Sequence, residues 1–146
     1  MKALIILLTT LISFSSQAKN RDDIDPVVLK SFQKSFKNAQ EADWTATKDY
    51  FKVQFALDGQ HINAFYNTEG ELLAITKNIT TNQLPVMLQM SLKQQTDKYW
   101  ITELFECSTE QGIAYYATIE NADMKITLQA GNNSPEWNVF RKSHKI

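Results

Sequence analysis

An α+β fold is predicted: a helix plus a four-stranded antiparallel meander, occurring twice, with the two helices packed on one face of a shared antiparallel sheet. Three observations predict it. Asp25-Pro26-Val27-Val28-Leu29-Lys30 and Leu84-Pro85-Val86-Met87-Leu88-Gln89 are similar openings 59 positions apart. After each, the apolar spacing changes from a helical period to an alternation of two. Turn signals then punctuate both stretches, at Asp58-Gly59 and Thr68-Glu69-Gly70 in the first and at Asn121-Ala122-Asp123 and Gly131-Asn132-Asn133 in the second.

The chain starts with a segment that reads as a signal peptide. Lys2 gives the positive start, and Ala3 to Phe14 is apolar apart from Thr9, Thr10 and Ser13. Ser16-Gln17-Ala18 places small residues where a signal peptidase reads them, so cleavage after Ala18 is expected. The run is shorter than the about 20 residues that span a bilayer. No cysteine lies near the cut, so no lipid anchor is expected there. Removing 18 of the 146 residues leaves 128, enough for a single domain over 19–146 made of two repeats, about 25–79 and 83–141.

The elements follow in order. Asp25 suits an N-cap and Pro26 the first helical position. Val28, Leu29, Phe32 and Phe36 form an apolar stripe on a helix of about three turns. Asp43 to Thr47 is a short strand around Trp44. In Tyr50 to Leu57, Phe51, Val53, Phe55 and Leu57 share one face and Tyr50, Lys52 and Gln54 the other. Asp58-Gly59 closes a hairpin onto His61 to Tyr66, and Glu71 to Ile79 is the fourth strand.

The second stretch repeats the order. Asn82 is a candidate cap, Pro85 falls in the first turn, and Val86, Leu88, Met90 and Leu92 carry a helix with a less regular stripe. Strands are expected at Tyr99 to Cys107, Ile113 to Glu120, from Met124 through Leu128, and at Trp137 to Arg141.

Charge and cysteine usage exclude several classes of function. Fifteen Lys and Arg face sixteen Asp and Glu, so the exported chain, without Lys2, carries a formal charge of −2. That balance lacks the basic stripe of a nucleic-acid binder. Asp22, Asp23 and Asp25, and Arg141, Lys142, His144 and Lys145, read as solvated tails. Cys107 is the single cysteine, so no intrachain disulfide can form. Alternation puts Cys107 with Ile101 and Phe105 on one face, as a buried small hydrophobe.

Catalytic chemistry finds little support. His61 and His144 are the only histidines, and no HxH, HxxxH or CxxC spacing occurs. Nothing in their spacing pairs Cys107 with His61 as nucleophile and base. The glycines form no phosphate loop, and the N-terminal aspartates lack the rest of a calcium loop. No catalytic residue, metal or cofactor is therefore expected.

At this point the residues resemble the PepSY-like periplasmic proteins, a family of Bacteroidetes-type bacteria whose fold is similar to β-lactamase inhibitor protein. Its pattern has a helix ending in Phe-Pro-x-Ala, then Trp, Tyr-x-Val-x-Phe, an aromatic strand, a glycine turn and Leu-Pro. Phe36-Lys37-Asn38-Ala39 matches with Lys37 for the proline, and Phe51-Lys52-Val53-Gln54-Phe55 with Phe51 for the tyrosine. Trp44, Phe65-Tyr66, Gly70 and Leu84-Pro85 also match. The resemblance spans nearly all of Asp25 to Arg141 and is looser in the second half. It implies a β-lactamase-inhibitor-protein-like fold, an envelope location, no established catalytic residues, and protein binding through an open sheet face.

The sequence expectation is thus a secreted or periplasmic, non-catalytic binding protein, inhibitor-like toward an envelope protein or protease. The alternative is an envelope protein that binds a small ligand or peptide. The candidate contact residues, on the face opposite the core, are Tyr50, His61, Phe65, Trp100 and Tyr116, with Leu104 beside them. The expected partner is an envelope protein or peptide, with no nucleic acid and no membrane anchor after signal cleavage.

Overall fold

The structure is a computed structural model that describes residues 18–19, 23–131, 133–134 and 136–146. The expected signal segment lies outside these residues except for Ala18, as do Asp22 and Asn132. The protein is α+β, and consecutive strands pair antiparallel. It divides into two compact units, residues 1–74 and 75–146.

In the first unit, β1 (Ala18–Lys19) pairs with β2 (Gln40–Ala46), β2 with β3 (Phe51–Leu57), and β3 with β4 (Gln60–Tyr66). Helix α1 (Pro26–Ser35) forms where the sequence supplies its ends. Asp25 Oδ1 accepts from the Val27 amide at 2.9 Å, which satisfies a donor that the first turn leaves free. Val28 and Phe32 are buried, and they meet Trp44, Val53, Phe55, Ala64 and Tyr66 on one face of the strands. Phe32 is the hub of this core. Its ring lies 5.3 Å from Trp44, 5.1 Å from Phe55 and 5.6 Å from Phe36. The first two contacts are edge-to-face, the geometry that the ring quadrupole favours.

The β3–β4 hairpin turns on Asp58 and Gly59, both at positive φ, as its two-residue loop requires. Gly70, in the connection to β5 (Leu72–Asn78), has a different reason to be glycine. Its φ is +83°, and a Cβ there would lie 3.1 Å from the Val27 carbonyl oxygen. The Ser31 hydroxyl donates to the Gly70 carbonyl at 2.6 Å. The connection therefore presses directly on α1.

The boundary between the units falls inside β5. In the second unit, Ile75 to Asn78 pairs with β6 (Trp100–Thr109), followed in order by β7 (Gly112–Glu120), β8 (Met124–Gly131) and β9 (Asn138–His144). Helix α2 (Val86–Gln95) buries Leu88 and Leu92 against Leu104, Tyr115, Ala117, Ile119, Ile126 and Leu128. Trp137, on the β8–β9 connection, donates its indole N–H to the Leu88 carbonyl at 3.1 Å.

Three sequence expectations need correction here. The N-cap of α2 is Pro85 itself, so Asn82 does not cap it and Pro85 lies outside the first turn. The two helices are each ten residues and start 60 positions apart, one more than the matched openings suggest. Second, the pairing register shifts between Ile101 and Glu103. One extra residue reverses the alternation upstream of it. Ile101 therefore opposes Ile119 on the helix-packed face, whereas Cys107 shares the other face with Phe105. Third, the basic C-terminal stretch is not a free tail. Strand β9 continues to His144, and the Lys145 amide bonds the Asp123 carbonyl at 2.8 Å.

Two substitutions, with a third as control, test the fastening of the helices. Gly70→Ala should cost about 1–3 kcal/mol, from its positive φ and the Val27 contact. Gly59→Ala, with nothing near its added methyl, should cost less; denaturant titration of both variants compares them. Trp137→Phe should cost about 1–3 kcal/mol by leaving the Leu88 carbonyl without its indole donor.

Candidate functional site

The five residues expected to line an open face do lie opposite the helix-packed faces of their units, but three are core. Tyr50, Phe65 and Tyr116 are 8%, 0% and 3% exposed. Tyr50 and Phe65 pack ring on ring at 5.9 Å. Tyr116 stacks on Phe105 at 5.0 Å, takes the edge of Phe140 at 5.4 Å, and its hydroxyl accepts from Gln129 Nε2 at 2.8 Å. Alternation assigns a face, but it does not say whether that face is wet. Leu104 is buried in the helix-side core opposite Ala117, and the register shift is what puts Ile101 on the same face as Leu104. His61 and Trp100 are exposed.

Trp100 is held in place while remaining half exposed. The Lys145 ammonium sits 5.1 Å from its ring centroid and 3.3 Å from Glu120 Oε1. The Glu120 carboxyl is held below the usual carboxylate range, first by the Thr102 hydroxyl and then by Lys145 and Lys125.

The exposed apolar residues are distributed unevenly. Among the described residues, Val27 is the only exposed large hydrophobic of the first unit. The second unit exposes Val86, Met87, Met90, Trp100, Ile101, Ile113, Val139 and Ile146. Equivalent helix positions make the contrast plain. Ile24, Val28 and Phe32 are buried, as are Leu84, Leu88 and Leu92 sixty positions on. On the outward side Lys30 in α1 is replaced by Met90 in α2, which is 58% exposed. Val86, Met87 and Met90 thus form a second apolar stripe that faces away from the core. This stripe explains why α2 reads as irregular in sequence.

A groove of about 350 Å³ runs beside that stripe. Met90, Leu92 and Ile101 supply its apolar wall, and Gln89, Lys93 and Thr96 its polar rim. Gln89 Nε2 donates to the Leu84 carbonyl at 2.8 Å, which fixes the entry to the helix. Across β6 lies a more polar recess of about 510 Å³, lined by Thr102, Glu103, Glu120 and Lys125 among others. The register shift in β6 sends Ile101 to the first and Glu103 to the second.

The remaining chemistry is sparse. Among the described residues no group of three or more His, Cys, Asp or Glu could hold a metal ion. The Cys107 thiol is 2% exposed, and burial, reinforced by Glu106, pushes it up to about 11. Such a thiol stays protonated and out of reach of a substrate.

No family model matches the chain, and no curated protein matches it in sequence. Solved structures do share its fold. A DUF2874 family protein from Bacteroides ovatus has a TM-score of 0.71 at 15% identity, covering 84% of this chain and 89% of its own. A BLIP-like protein from Bacteroides fragilis, BLIP being β-lactamase inhibitor protein, has 0.68 at 13%, covering 83% and 86%. A protein of Bacteroides eggerthii assigned provisionally to the periplasm has 0.70 at 12%, covering 83% and 88%. At these identities the likeness is one of fold. Among the described residues no helix is long and apolar enough to cross a membrane.

Burial of Cys107, Tyr66 and Tyr116 makes a pH prediction. Their ordinary values are 9.0, 10.0 and 10.0, and burial pushes them up to about 11, 12 and 12. The unfolded chain releases these protons first, so stability is full below pH 9 and falls as pH rises toward 12. Melting temperature against pH should show that decline. A thiol reagent at pH 8 should label Cys107 only after denaturant is added.

Proposed function

We propose that the protein is a periplasmic, non-catalytic binding protein that meets an envelope protein through the outward face of α2. The observation that carries this reading is the second apolar stripe, Val86, Met87 and Met90, beside the groove walled by Ile101. Exposed apolar side chains add nothing to the core, and methionines adapt to varied partner shapes. The signal-like start supports export, and the shared fold with a BLIP-like protein and one assigned provisionally to the periplasm supports the envelope setting. Inhibition of an envelope enzyme is the form of binding this fold likeness suggests.

We also read the two halves as copies of one ancestral unit, related to the PepSY-like group. Helices of equal length and matching buried positions support the duplication. So does a register shift early in the first strand after each helix, at Gln40/Asp43 and at Ile101/Glu103. The groove, near the lower volume of small-molecule sites, favours one second reading: a small apolar ligand.

The test is a Met87→Lys/Met90→Lys variant. Its stability should stay within about 0.5 kcal/mol of the parent, since both residues are exposed. It should lose the dominant protein that the parent captures from an envelope extract. Equal capture by the variant would reject α2 as the contact surface. A rise in parent melting temperature with apolar ligands, absent in Ile101→Lys, would favour the second reading.

A further inference from the structure

We propose that the free edge of β9 takes up an extended, acidic peptide segment by strand addition. This surface is distinct from the α2 stripe, so the two readings stand or fall separately.

Strand β9 is terminal in the strand order, with β8 on one side and no strand on the other among the described residues. Along it every residue but Phe140 is exposed. A strand in that position leaves half of its amides and carbonyls directed outward, where another chain can pair with them.

The side chains on this edge select the partner. Residues 124–146 contain Lys125, Arg141, Lys142 and Lys145 against the single acid Glu136, in a chain whose formal charge is −1. Lys145 is spent on Glu120. Arg141 and Lys142 have no ion pair among the described residues, and His144 is exposed beside them. Register places Lys142 and His144 on the face of Ile126 and Met124, and Arg141 on the face of Thr127. An added strand would therefore meet positive charge on both of its faces.

Cations on an edge also guard it against self-pairing. Here that guard is selective. A second β9 would bring Arg141 and Lys142 against their own copies, which like-charge repulsion disfavours. A strand carrying Asp or Glu at the facing positions would instead gain ion pairs and main-chain hydrogen bonds together. Val139, 61% exposed, offers an apolar contact at the far end of the strand. The occupant that fits is thus an extended segment with acidic residues at one end and an apolar one at the other.

The probe is a synthetic peptide of about seven residues with blocked ends, with Glu residues in one half and Val residues in the other. Three comparisons accompany it: the same peptide with Lys for Glu, the Glu peptide with alternate backbone nitrogens methylated, and the protein variant Arg141→Glu/Lys142→Glu. Binding is read by fluorescence anisotropy at about 0.01 M and about 1 M salt, with the protein's mass in solution measured alongside. The Glu peptide should bind at low salt, weaken by at least about tenfold on charge reversal of the protein, and lose binding on N-methylation. The Lys peptide should not bind.

Four results would overturn the proposal. They are no binding of the Glu peptide at low salt, equal binding by the charge-reversed protein with an unchanged melting temperature, equal binding of the N-methylated peptide, and a dimer dispersed by the charge reversal. The third would reduce the edge to a diffuse cationic surface. The fourth would give the edge to a second copy of the chain. If the charge-reversed protein does not fold, the N-methylated peptide on the parent protein still decides.

Discussion

Each helix in this protein makes a hydrogen bond to an equivalent place, the connection between the third and fourth strands after it. In the first unit the Ser31 hydroxyl donates to the Gly70 carbonyl at 2.6 Å. In the second the Trp137 indole donates to the Leu88 carbonyl at 3.1 Å. A ten-residue helix is marginal by itself, so its stability has to come from the surface it covers. Apolar contact supplies most of that energy but little direction. A polar latch at one end of the contact fixes which turn of the helix meets which strand connection, and the remaining side chains interdigitate around that choice.

The latches differ because the two cores differ. The first unit packs Phe32, Phe36, Trp44, Phe55 and Tyr66 ring against ring, and a small residue at position 70 lets the connection close over α1. The second core is largely aliphatic, built on Leu84, Leu88, Leu92, Leu104 and Leu128. There the connection contributes a bulky indole that fills space and carries the donor. A glycine thus closes on the aromatic core, and a tryptophan fills space beside the aliphatic one.

Much of the fold was legible because period survives any context. Val28 and Phe32 at helical spacing, and Val53 and Phe55 at alternate positions, sit in the core where their periods place them. Asp58 and Gly59 both adopt the positive φ that a tight hairpin demands. What escaped has a common cause: each failure depends on a contact between residues distant in sequence. The extra residue near Thr102 is visible only once β7 is beside β6, and it puts Ile101 and Leu104 on one face, the core side. Tyr116 looked available because nothing local shows Phe105, Phe140 and Gln129 closing around it. His144 belongs to a strand because Met124 lies opposite it, 20 positions earlier.

The candidate site had a signal, though one that was easy to misread. The apolar stripe of α2 is less regular in sequence than that of α1, and the structure shows a ten-residue helix with apolar residues on two sides. Its inner side is Leu88 and Leu92, fixed by the fold. Its outer side is Met87 and Met90, at positions where α1 carries Val27 and Lys30. A core needs only one apolar stripe per helix. Where two helices match at their buried positions and differ at the outward ones, the matching residues answer to packing, and the outward ones are not held by the core. In this chain those differences place exposed apolar surface on the second unit and leave the first almost without it. The partner contact proposed for Met87 and Met90 would leave the core of the second unit untouched, because neither residue belongs to it.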